Sequence, residues 1–141
     1  MDPTSDLPAF TDFGILTQFD IDVPGQAIRL TCVSKVVGID AWVYISGKFE
    51  GVSYLKLVSD LPVSFYDNGI DSFAERSDSD ALNGIEEKEG WTFLRTDIDT
   101  ATLGGPGRRP EALRYFLIQS SFISAEWICV LARFSYQILE R

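Results

Sequence analysis

Three Asp-x-Asp pairs, Asp20/Asp22, Asp78/Asp80 and Asp97/Asp99, are the residues of this chain whose type and spacing come nearest to chemistry. Two carboxylates so close can hold a divalent ion alone or together with a phosphate. A chain this rich in aspartate produces such pairs by chance, however, and on a strand both members would face solvent. Asp67-Asn68-Gly69-Ile70-Asp71 begins like a calcium loop, but Ser72 and Asp78 stand where that loop needs glycine and glutamate, so it reads as a turn. There is no histidine, which removes Ser-His-Asp and Cys-His nucleophiles, imidazole acid–base steps and histidine-ligated metals together. Cys32 and Cys129 are the two cysteines, far apart and outside any CxxC spacing. Each lies in an apolar run and reads as a small buried hydrophobe. No catalytic residue, metal or cofactor is expected.

Gly104-Gly105-Pro106-Gly107-Arg108-Arg109 leads into a candidate helix start at Pro110. Backbone N–H groups there, with Arg108 and Arg109, could contact an anion, although neither Walker nor Rossmann spacing is present. Trp42, Tyr44, Tyr54, Phe65, Tyr66 and Trp91 form an aromatic set on strand-like stretches, which cross-strand packing accounts for more readily than a pocket does.

Charge carries the functional expectation. The chain has 21 acidic and 12 basic side chains and a formal net charge of -9. Residues 1–24 hold five aspartates and no base, and residues 60–99 hold eleven acids against three bases. This balance repels phosphate backbones and anionic lipid, so direct nucleic-acid or membrane binding is not expected, and a basic protein partner is favoured. The candidate partner-binding residues are Asp71, Glu75, Asp78, Asp80, Glu86, Glu87 and Glu89. The chain reads as a non-enzymatic protein-binding domain. In size, acidity and expected layout it is similar to many immunity proteins, antitoxins, phage-encoded inhibitors and secretion chaperones, a likeness of class carried by no motif. One alternative is a small-molecule-binding domain or small carboxylate-based enzyme. Another is an assembly subunit, such as a homodimer, pairing through its C-terminal element. MDPTSDLPAF has neither a basic n-region nor an apolar h-region, so a cytoplasmic location is expected.

The elements that must position these residues read as one α+β domain over 1–141. Residues 1–24 form an acidic, partly mobile arm in which Phe10, Phe13, Leu16 and Phe19 recur every three residues, the spacing of a short helix, with a docked irregular arm as the alternative. Residues 26–96 read as an antiparallel β-meander of about four to five strands, with Ser46-Gly47 and Glu50-Gly51 as turns. An acidic surface insertion at 67–90 has helical spacing at Ile70, Phe73 and Ala74 and again at Ala81, Leu82 and Ile85. Trp91–Arg95 returns to the sheet, and Asp97–Gly107 is a loop.

The apolar element at 110–139 is expected to pack on that sheet as a long or broken helix. Pro110 and Glu111 suit a helix start, and Gln119, Glu126, Arg133, Gln137 and Glu140 fall within roughly 60° of one another on a helical wheel. As strands, Trp127 and Cys129 would share parity with Arg133 and Ser135, an impure alternation. One helix would be about 45 Å long, which favours a break near Ser120-Ser121 or Ser124. A membrane span is disfavoured because Glu126 and Arg133 would each cost about 2.5–3.5 kcal/mol.

Overall fold

Ile28, Leu30, Cys32, Ser34 and Val36 take alternate positions, and all five are buried, the period of a strand with one face on a core. The computed structural model describes residues 4–58, 69–76, 85–88, 91–95, 100–104, 113–121 and 123–139. Eleven strands and no helix are found there. β1 (Phe10–Asp22), β2 (Ala27–Val36), β3 (Val43–Glu50) and β11 (Leu131–Ile138) form one sheet, in the order β1-β2-β3-β11. β4 (Tyr54–Val58), β10 (Ser124–Cys129), β9 (Arg114–Ser120) and β5 (Ile70–Arg76) form a second, in the order β4-β10-β9-β5. β6 (Ile85–Lys88), β7 (Trp91–Arg95) and β8 (Thr100–Gly104) make a smaller third sheet. All the strand pairings are antiparallel.

The expected α+β fold is thus corrected to all-β, and the reason is the same at both ends of the chain: β phase slips that imitate helical spacing. Along β1 the register slips between Phe10 and Asp12, between Phe13 and Ile15, and between Leu16 and Gln18. Phe10, Phe13, Leu16 and Phe19 therefore face Val36, Ser34, Cys32 and Leu30. Each slip adds one residue to β1 against β2, so inward positions recur every three residues instead of every two. No helix forms near Pro8; the three-residue spacing belongs to a bulged strand.

The C-terminal helix is replaced by β9, β10 and β11. Ser120-Ser121 is the turn between β9 and β10, where Ser120 N–H donates to Ile123 O (2.8 Å) and Ile123 N–H to Ser120 Oγ (2.9 Å). Ala125, Trp127 and Cys129 point inward along β10, and Ala132 and Phe134 point inward along β11. The phase changes at Val130, where the chain leaves the second sheet for the first. The paired chain turns the same corner at Gly51, whose φ of 66° needs glycine and whose added Cβ would stand 3.1 Å from Val130 Cβ. Strands that switch sheets at such corners join two packed layers into one core. The helical spacing at Ile70, Phe73 and Ala74 is likewise β5, and Ser46-Gly47 lies inside β3 instead of at a turn. Asp97–Gly107 contains β8, and Trp91–Arg95 pairs within the third sheet and not with the meander. Val63–Tyr66, Ala81 and Leu82 lie outside the described residues. Among the described residues no helix is long and apolar enough to cross a membrane.

The two larger sheets meet through an aromatic cluster centred on Trp127, which is fully buried. Its ring lies 4.9 Å from Phe49 at 74° and 5.9 Å from Phe116 at 18°, and Phe49 is 5.6 Å from Phe134. Edge-on and offset contacts of this kind add about 0.5–1.5 kcal/mol each beyond area burial. On the side away from the corner, a bridge between Ile15 and Gly69 draws β1 toward β5. Thr4 exchanges backbone hydrogen bonds with Phe134 (2.8 and 2.6 Å) along the outer edge of β11.

Candidate functional site

The acidic residues singled out from sequence divide into different environments. Asp71 lies exposed on β5, one of the two edge strands of the second sheet. Glu75, four residues on, shares the inward face of β5 with Phe73 and stands opposite Phe116. It is held by Arg114, whose Nε donates to Glu75 Oε2 (2.8 Å) and whose Nη2 donates to Oε1 (2.7 Å). Nη2 also reaches the carbonyl of Ser5 (2.8 Å), and the guanidinium lies 5.2 Å over the Phe116 ring. Tyr136 OH donates to Asp6 O (3.0 Å) nearby. Glu75 is thus the ion-pair partner of Arg114, with 27% of its side chain exposed. The Glu75 hydrogen bond is also the chief reason the Arg114 guanidinium holds its proton even more firmly than usual. Glu86 and Glu87 fall on β6, an edge strand of the third sheet. Asp78, Asp80, Glu89, Arg108 and Arg109 lie outside the described residues, as do Asp97 and Asp99.

Of the Asp-x-Asp pairs, Asp20/Asp22 is described, and its carboxylates already have work. Asp22 Oδ1 accepts from Gly25 N–H (3.1 Å) in the β1–β2 turn, and Asp20 Oδ2 accepts from Gln18 Nε2. A cavity of about 290 Å³ beside them is lined by Asp20, Asp22, Arg29, Lys48 and Glu50 among others. Its charges alternate in sign instead of converging. Among the described residues, no three carboxylates or thiols gather where a metal could bind. Both thiols are free and buried. Burial pushes Cys32 up to about 11 and Cys129 to about 12, so at neutral pH each is a protonated thiol and a poor nucleophile.

Two constellations had no clear signal in the sequence because long-range register creates them. On the outer face of the second sheet, Glu126 stands opposite Lys56 and accepts a hydrogen bond from Tyr115 OH. Burial first, and the Glu126 charge second, raise the pKa of the adjacent Tyr54. The outer face of the first sheet carries a row of three cations. Arg29 stands opposite Lys48, and Lys48 opposite Arg133, with Asp20 beyond Arg29 at the β1 end. The next outward row is Thr31, Ser46 and Ser135, and the row after it is Val33, Tyr44 and Gln137. Lys35 sits 5.0 Å over the Trp42 ring at the far end of the face. The alternating charged and hydroxyl residues of β2, β3 and β11 were the available hint, but their alignment was not readable from one strand at a time.

Compared with protein-family models, curated proteins and solved structures, the chain matches none. The candidate surfaces therefore rest on their own geometry.

Proposed function

We propose that the protein is a non-enzymatic protein-binding domain that engages a basic partner through its acidic segment, in the manner of an inhibitor, immunity protein or antitoxin. One observation supports it above others: Asp71, which is exposed, and Glu86 and Glu87 all lie on edge strands, β5 and β6. An edge strand can accept a further strand by backbone hydrogen bonding, and carboxylates along it select a positively charged comer and speed the encounter. Residence in the cytoplasm goes with this reading, supported by two thiols left unpaired in keeping with a reducing compartment.

Edge carboxylates also protect a sheet from self-association, and one experiment separates the two roles. The chain carrying Asp71→Asn, Glu86→Gln and Glu87→Gln is compared with the parent for capture of basic proteins over a salt series and for its own mass by light scattering. Loss of a salt-sensitive basic partner by a variant that stays at the parent's mass supports binding. Capture indifferent to salt and to the substitutions, or aggregation as the sole change, sinks it.

A further inference from the structure

We propose that the outer edge of β11, with Arg114 and Tyr136, is a peptide-binding clamp that the chain fills with its own Thr4–Asp6. Its other occupant is a segment of a partner protein that carries the pattern of Thr4 and Leu7, a hydroxyl residue followed three positions later by a large apolar one. Three successive carbonyls of the arm each receive a donor from a different part of the body. Phe134 N–H donates to Thr4 O (2.6 Å), Arg114 Nη2 to Ser5 O (2.8 Å) and Tyr136 OH to Asp6 O (3.0 Å). Thr4 N–H returns a bond to Phe134 O (2.8 Å), which completes an antiparallel bridge.

Among the described residues, every hydrogen bond that joins Thr4–Asp6 to the rest of the protein runs through the arm's main chain. The side chains of Ser5 and Asp6 lie in water. Donors so placed read a backbone and its bend, which another chain can supply equally well. Two side chains set the fit. Thr4 Oγ1 accepts from Asp6 N–H (3.2 Å), a hydroxyl-closed turn that bends the segment away from the strand, and Leu7 is half-buried against the core. The clamp itself is built without the arm. Arg114 is oriented by its two bonds to Glu75 (2.8 and 2.7 Å) and by the Phe116 ring beneath it, and Phe134 is fixed by full burial. Preorganised donors lower the cost of taking up a ligand.

The arm is a light occupant. Among the described residues it bridges β11 at one position of an eight-residue edge strand, and such an edge is a template for a further strand. A segment that continues along that edge gains bonds the arm does not make. A second copy gains nothing by exchange, because its arm offers the same contacts and is already held at home at an effective concentration of about millimolar. The occupant that profits is a different protein carrying the pattern within a longer stretch.

The test is titration of the isotope-labelled full chain with an unlabelled peptide of residues 1–9, following backbone amide shifts. In the parent, excess peptide is expected to release the tethered arm, moving the signals of Ser5, Asp6 and Leu7 to unstructured positions. The variant Thr4→Pro with Leu7→Ser loses the arm's N–H and its apolar anchor. It is expected to bind the peptide at least about tenfold more tightly than the parent, with shifts around Arg114, Phe134 and Tyr136. Adding Tyr136→Phe should weaken that binding by about fivefold. A peptide carrying Thr4→Val and Leu7→Ser is expected to do nothing. If the arm variant does not fold, displacement in the parent decides alone. No displacement, shifts mapping elsewhere, equal binding of the altered peptide, or a parent dimer that the arm variant dissolves would each overturn the proposal. Asp71→Asn, Glu86→Gln and Glu87→Gln should leave this titration unchanged, so its outcome is independent of the acidic-edge proposal.

Discussion

Gly14 lies against the carbonyl of Val33 so closely that a Cβ at residue 14 would overlap that oxygen and stand 3.0 Å from Cζ3 of Trp42. It occupies the second of the three register slips between β1 and β2, and its N–H donates to Ser34 Oγ (3.3 Å). Because backbone and not a flexible side chain fills the space, Gly14→Ala must push the two strands apart. We expect a loss of about 1–3 kcal/mol, the usual range for overpacking, measured by urea unfolding. Gly69 has open space around it, so Gly69→Ala should be neutral or stabilise by up to about 1 kcal/mol through the unfolded chain. Equal effects at the two glycines would mean that the slip at Gly14 is not as described.

The strands of β2 and β3 were legible because their alternation is uninterrupted: Ile28, Leu30 and Cys32 on one, Val43 and Ile45 on the other. β1 and the C-terminal run were not, and for a shared physical reason. Pattern reading assumes constant phase, whereas β1 gains one residue at three places and the β10–β11 chain changes phase at Val130. Three bulges turn a period of two into a period of three, which looks helical. Trp127 as a core residue was within reach, since its neighbours are apolar whichever element holds it. The surfaces were harder. Composition pointed to the acidic segment, but Glu75 was grouped with it although it shares a strand face with Phe73. Arg29 and Arg133 are over a hundred positions apart, and two pairings through β3 are needed to bring them into one row.

Arg114 should prove a stability residue, and Glu75 with it. Side-chain exposures of 20% and 27% place the pair between a surface bridge and a buried one, so the full cost of breaking a buried pair does not apply. Arg114→Ala is expected to lose about 1–3 kcal/mol, and a double-mutant cycle with Glu75→Gln to show coupling of at least about 0.5 kcal/mol. Arg114→Lys should rescue little of this, because an ammonium cannot reproduce the two-pronged contact or the stacking over Phe116. Coupling near zero would show that the two side chains do not act as a pair.

Alkaline conditions should unfold the protein through its thiols. Cys32 and Cys129 are held up by burial to about 11 and 12 against 9.0 for an accessible thiol. Between pH 9 and those values the unfolded chain has released protons that the folded chain keeps, so stability must fall as pH rises. Below pH 9 both states hold the protons and these groups add no slope. Cys32→Ala with Cys129→Ala, although weaker overall, should therefore lose less stability between pH 8 and 11 than the parent. Parallel curves from urea unfolding at each pH would show that other groups control the alkaline limb.

The corner at Val130 makes the last prediction. Trp127 and Phe134 are both fully buried and lie in one aromatic cluster, although they are an odd number of residues apart and an uninterrupted strand would put them on opposite faces. Trp127→Ala and Phe134→Ala should each cost about 3–5 kcal/mol. Arg133→Ala, on the exposed side of β11, should stay within about 0.5 kcal/mol of the parent. The indole Nε1 of Trp127 has no hydrogen-bond partner among the described residues, so Trp127→Phe forfeits packing without a polar contact and should cost clearly less than Trp127→Ala. A large cost at Arg133 with a small one at Phe134 would show that the chain keeps its phase through Val130, and the sheet-to-sheet corner would have to be redrawn.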